Sequence, residues 1–240
     1  PPDIDIFTVD TVIKYPLGTK LERADAIYRY VEFGGATAAG DLCTAEGPDG
    51  AHDNLDPTGT GTAYGTAGVA AGDTIISIAD SITLVADEYA GGSLVIEADT
   101  GAGYRYRILR NSAEASNASV EIQDGLAVAI DSTSDVKLVK SLYKEIVEAP
   151  TSQAAAYVGF SQAIGADGSF GWVCTRGPTA ALEEASTDPI VVGDMVTRSD
   201  ETAGAIEGHD EDDSVNRVIV GRCMDVSADT EFALVFAMLE

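Results

Sequence analysis

Residues able to do covalent or metal chemistry are few in this chain. Its 240 residues hold three cysteines, Cys43, Cys174 and Cys223, and two histidines, His52 and His209. The cysteines are too few and too far apart for a disulfide framework, and none forms a Cys-x-x-Cys pair, so the spacing argues for buried thiols. Zinc would need further ligands, and both histidines fall in polar Gly/Asp stretches. Gly159-Phe160-Ser161-Gln162-Ala163 lacks the closing glycine of a nucleophile elbow, and no distinctive serine motif partners either histidine. The segment Gly59-Thr60-Gly61-Thr62-Ala63-Tyr64-Gly65 misses the dinucleotide spacing and is followed by no Gly-Lys-Ser/Thr, and it lacks the preceding strand and following amphipathic helix without which backbone amides would not converge on a pyrophosphate. His209 to Asp213 gathers carboxylates without the alternating spacing and central glycine of a calcium loop, which suits a solvated loop better. Trp172 would serve as a sugar-stacking platform only if exposed, and a lone Trp in an apolar strand belongs to a core, as do Tyr104 and Tyr106. Paired-carboxylate chemistry has acids everywhere to draw on, which makes each one uninformative. The expectation is a chain with no catalytic residue, no cofactor and no resident metal.

The elements that would position such groups read as β structure. Asp87 to Asn111 shows it best: Leu94 to Glu97 and Tyr104 to Leu109 alternate across a Gly-rich turn, with Tyr104, Tyr106 and Ile108 on one face and Arg105 and Arg107 on the other. Ile27 to Phe33 alternates likewise, Ala118 to Ile122 continues the pattern, and Leu126 to Ile130 and Val136 to Val139 add short strands. Ile75 to Val85 reads as mostly strand. Gly-Asp pairs punctuate entry into apolar segments at Gly40-Asp41, Gly72-Asp73 and Gly193-Asp194, where glycine supplies positive φ and aspartate is expected to bond its own downstream backbone. The pattern predicts an all-β fold of antiparallel β-sandwich or barrel modules. Residues 1–23 suit an extended N-terminal arm. A β domain follows over 24–148, with a long Gly/Thr loop at 47–68. A composition shift at Ala149-Pro150-Thr151-Ser152 opens a second small β domain over 149–240, into which the segment from Ile27 to Cys43 is also placed to pair.

Fourteen Lys and Arg oppose 40 Asp and Glu, a formal net charge of −26. That surface repels nucleic acid and anionic membrane. At 45% hydrophobic residues the composition is that of a globular protein, so the acids cover folded surface. No basic, apolar signal segment opens the sequence, and its longest apolar run, Phe232 to Leu239, is far short of a membrane span, so the chain reads as soluble. Against this background Arg105, Arg107, Lys137 and Lys140 stand out as contacts for acidic partner surfaces, either a neighbouring subunit or another protein.

Two groups of signatures carry a resemblance. Leu17-Gly18-Thr19, Tyr30-Val31, Ala38-Ala39-Gly40-Asp41, Glu88-Tyr89-Ala90-Gly91-Gly92 and Gly103-Tyr104-Arg105-Tyr106-Arg107-Ile108 form the first. Gly171-Trp172-Val173, Arg176-Gly177-Pro178, Val192-Gly193-Asp194 and Val220-Gly221-Arg222 form the second. Together they resemble virion structural proteins of tailed bacteriophages, cyanophage and other marine phages above all, of the capsid decoration or cement type. The resemblance implies a β-rich homotrimer on the outer capsid surface of the virion, partnered by the major capsid protein, clamping the head against internal DNA pressure. It implies no catalytic residues. A neck, tail or fibre component is the alternative within that class, and an acidic extracellular β-sandwich enzyme acting on polysaccharide is the alternative from another.

Overall fold

The computed structural model describes residues 4–46, 68–78, 84–113, 118–131, 134–152, 155–184, 189–209 and 218–240. The loop expected at 47–68 lies outside them save for Gly68, as do His52, the Gly59 to Gly65 segment and Asp210 to Asp213. Among the described residues there is no helix, hence none long and apolar enough to cross a membrane. The fold is all-β, with every strand pairing antiparallel, as the alternating sequence pattern leads one to expect.

Two compact units divide the chain: residues 1–47 with 142–240 form unit 1, and residues 48–141 form unit 2. Unit 1 contributes β1 (Lys20–Arg23), β2 (Ala26–Glu32) and β3 (Leu42–Thr44). Unit 2 follows with β4 (Ile75–Ile78), β5 (Ser93–Ala98), β6 (Arg105–Asn111), β7 (Ala118–Ile122) and β8 (Asp135–Val139). Unit 1 then resumes with β9 (Val147–Glu148), β10 (Tyr157–Ser161), β11 (Phe170–Leu182), β12 (Met195–Arg198), β13 (Ile206–Gly208), β14 (Gly221–Asp225) and β15 (Phe232–Met238). The divide expected at 148/149 therefore needs correcting. It falls inside unit 1, because β2 hydrogen-bonds to β11 and β3 to β10.

Unit 2 is a five-stranded sheet in the order β4-β7-β6-β5-β8. Its period-two pattern puts Leu94, Ile96, Tyr106, Ile108, Val120 and Ile122 on one buried face. Each such side chain contributes roughly 1.5–3 kcal/mol by leaving water. Asn111 ties the 85–91 turn to β6: its Oδ1 accepts from the Tyr89 N–H at 2.9 Å and its Nδ2 donates to Val85 O at 2.8 Å.

Unit 1 is a ten-stranded sheet running β13-β12-β14-β15-β11-β10-β3-β9, with β2 also on β11 and β1 on β2. The 13-residue β11 is its spine. Phe170 to Arg176 pair with β2, and Arg176 to Leu182 pair with β15. The change of partner falls at a register shift and at Gly177, where φ is +103° and a Cβ would lie 2.3 Å from Asp25 O. Only glycine meets both demands. Around β2, β3, β10 and the first half of β11, both faces are covered. Tyr30, Trp172, Phe160 and Leu42 pack on one side and Val31, Phe33, Cys43 and Val173 on the other. Residues 4–19 form no strand, yet they lie against this core: Asp10 and Phe170 exchange backbone hydrogen bonds at 2.7 and 2.8 Å, and Ile6 is buried.

The Gly-Asp signatures are one repeated turn. In Ala38 to Asp41, Ala70 to Asp73 and Val191 to Asp194, the first N–H donates to the Asp Oδ2, and the Asp N–H returns a bond to the first carbonyl. Glycine occupies the third position at φ +89°, +93° and +97°, as a type II turn requires. Aspartate was expected to bond forward; it bonds three residues back, which closes the turn before the strand begins.

Candidate functional site

The three cysteines, Trp172 and Ser161 all lie in the packed interior. Cys43, Cys174 and Cys223 are buried, and burial pushes all three thiols up, Cys174 to about 11. None is a thiolate at neutral pH. Trp172 is buried against Tyr30, ring centroids 5.1 Å apart, and offers no exposed platform. The buried Ser161 hydroxyl donates to Ala163 O at 2.7 Å. Tyr104 is exposed, contrary to its expected core place, and stacks on the buried Tyr106 at 6.2 Å. Among the described residues no three His, Cys, Asp or Glu side chains gather as a metal site.

One carboxylate pair does come together. A Cβ on Gly204 would sit 2.8 Å from Glu148 Oε1 and 3.1 Å from Asp41 Cγ, so the two acids flank the same glycine. Burial raises both, and for Glu148 the charge of Asp41 adds to it. Asp41 is already engaged in closing its turn through the Ala38 N–H. This arrangement links the turns before β3 and β13 to β9.

The basic residues singled out in sequence meet on the outward face of unit 2. Arg107 and Val139 stand opposite Ser93, and Arg105 and Lys137 stand opposite Val95, across β6, β5 and β8. Cross-strand partners share a face, so Arg105, Arg107 and Lys137 form one basic surface over the buried apolar side. Lys137 is 3.7 Å from Glu97, while Arg105 Nε donates to Ser93 Oγ at 2.8 Å. No ion pair holds Arg105 or Arg107 among the described residues. Lys140 does not join them: it is one residue out of phase with Val139, and its ammonium lies 3.6 Å from the buried Glu88.

A fourth cation, Arg110, belongs to the face and escapes the sequence pattern. Simple alternation from Arg105 turns Leu109 outward and Arg110 inward. The register shift between Ile108 and Arg110 resets the phase, and Arg110 pairs outward with Glu121 at 2.6 Å. The arrangement can bind an acidic surface through two guanidiniums that have no carboxylate of their own, steadied by two flanking ion pairs. Compared with known proteins, the chain matches no family model, no curated protein and no solved structure.

Proposed function

We propose that this protein is a non-enzymatic structural component of a tailed-phage virion, a decoration or cement protein on the outer capsid surface that binds the major capsid protein, with the homotrimer as its working form. The observation that carries the reading is the gathering of Arg105, Arg107, Arg110 and Lys137 on one exposed sheet face of a chain whose net charge is −26. A protein so acidic has cause to concentrate cations on one sheet only where it meets an acidic partner. The turn and strand signatures that resemble those of phage decoration proteins are the ground for taking the major capsid protein as that partner. The all-β fold and the three buried thiols accord with a part whose work is to hold a shell together.

Capsid binding tests the reading. Heads lacking the protein should take up the wild-type chain to copy numbers comparable with the capsid protein, and Arg105→Glu with Arg107→Glu should weaken uptake by about ten-fold or more, with a matching loss at high salt. Uptake of only a few copies per particle would move the protein to the neck or tail. Binding indifferent to both substitutions would remove the basic face from the contact.

A further inference from the structure

The outward face of unit 1 is built the wrong way round for a monomer. Along β15 the residues turned to the core are small or medium, Ala233, Val235 and Ala237, at 1%, 0% and 0% exposure. Those turned outward are large: Phe232, Leu234 and Met238 at 49%, 41% and 48%, with Phe236 half-buried between them. A strand serving only its own core places its bulk inward, where burial is worth most.

The neighbouring strands extend this surface. Pro178 on β11, Phe236 on β15, Arg222 on β14 and Met195 on β12 stand in one cross-strand row. Ala180 and Leu234 stand in the next, and Leu182 and Phe232 in another. Met224 is exposed beside them, and Arg222 Nε donates to Gly193 O at 2.7 Å, holding the turn that carries the exposed Val192. Phe232, Leu234, Met238, Met224, Met195 and Val192 together leave on the order of 500 Å² exposed, in the upper part of the ~300–600 Å² range of the largest apolar patch on a monomer, a patch that is often functional, and more than half of the ~800 Å² per partner of a standard interface. Along β11, β15 and β14 the outward positions hold one carboxylate, Asp225, beside two guanidiniums, Arg176 and Arg222.

We infer that a second copy of this chain covers the β11-β15-β14-β12 face, with Phe232, Leu234, Phe236 and Met238 as the anchoring row. A large, apolar face poor in charge has the composition of a homo-oligomer interface. Charge argues for the same occupant. Copies carrying −26 repel one another wherever their acids meet. They associate only where carboxylates thin out, and here two arginines stand ready for an acidic neighbour. The inference deepens the shell reading by naming the contact between subunits, and it is tested on the isolated protein, apart from any particle.

Sedimentation of the purified full chain over a hundred-fold concentration range should give a mass of two or more chains. Leu234→Asp, at an exposed position, should weaken self-association at least ten-fold with an unchanged circular dichroism spectrum. Amide exchange on the wild type gives an independent reading should that variant fold poorly: residues 222–225 and 232–238 should become more protected as concentration rises. A wild-type monomer throughout, exchange in β14 and β15 indifferent to concentration, or a folded Leu234→Asp chain that assembles like wild type would each overturn the inference. So would loss of assembly in Arg105→Glu with Arg107→Glu while folded Leu234→Asp stays assembled, since the contact would then belong to unit 2. Failure here leaves capsid uptake to be judged by its own assay, and absence of capsid uptake leaves the assembly of isolated chains standing.

Discussion

Asp41 and Glu148 show how a shared glycine sets the behaviour of two acids. Gly204 lets both carboxyls crowd one spot, and lost hydration makes their charged forms costly. Both folded pKa values stand above the ordinary 3.8 and 4.5. Folding therefore favours the protonated forms, so this contribution to stability is complete below those ordinary values and is lost as pH rises through the folded ones. Glu148→Gln should raise the thermal midpoint at pH 7 and flatten its rise on acidification. Equal midpoints for wild type and variant from pH 7 down to pH 4 would contradict the crowding. Asn111 lies at the other extreme, a buried polar side chain with its hydrogen bonds met. Asn111→Ala removes the acceptor of the Tyr89 N–H and the donor to Val85 O, and should cost about 2–3 kcal/mol in chemical denaturation.

At the scale of elements, turn chemistry and alternation were legible in the sequence, while partner choice was not. The positions of β2, β5, β6 and β7 follow from period-two patterns, and the x-x-Gly-Asp turns follow from glycine and a carboxylate at fixed spacing. The burial of both faces of β10 and β11 depends on strands more than 100 residues away, which no local pattern encodes. The basic face was half legible: Arg105 and Arg107 alternate openly, but the shift at Leu109 hides Arg110, and in sequence Lys140 reads as the equivalent of Lys137, whereas in the fold it lies against Glu88. The outward row of β15 sat in plain view as Phe-Ala-Leu-Val-Phe-Ala-Met, where an unbroken apolar run conceals which side is large. The β1-β2 hairpin offers a further test. Its two-residue turn holds Ala24 at φ +46°, in the left-handed region that suits glycine at the first turn position. Ala24→Gly should stabilise unit 1 by about 0.5–1 kcal/mol, the relief of the left-handed strain exceeding glycine's added unfolded-state entropy. Gly177→Ala should act oppositely and harder, costing about 2–4 kcal/mol, because its Cβ meets Asp25 O as well as a positive φ.

For the whole molecule, charge and assembly set the terms. A net −26 makes each folded copy repel itself, and that repulsion relaxes when salt screens it or acid neutralises part of it. The raised carboxyls of Asp41 and Glu148 push in the same direction as pH falls, whereas Asp5 and Glu22, lowered by their own hydrogen bonds, oppose it from exposed positions. The acid-side gain should therefore have two separable parts. At low salt the thermal midpoint should climb as pH is taken from 7 toward about 5, where most ordinary acids begin to protonate. At high salt the long-range part is screened, and what remains should be the smaller rise that Glu148→Gln diminishes. A midpoint that falls steadily with acid at low salt would mean that paired carboxylates, and not diffuse repulsion, dominate this protein's stability. The same screening bears on assembly. If the β15 face joins copies, added salt should tighten their association by damping repulsion between acidic surfaces, while it loosens attachment made through Arg105 and Arg107. Opposite salt responses of self-association and partner binding, measured on one preparation, are the signature expected of a molecule that joins its own copies through apolar contact and its partner through charge.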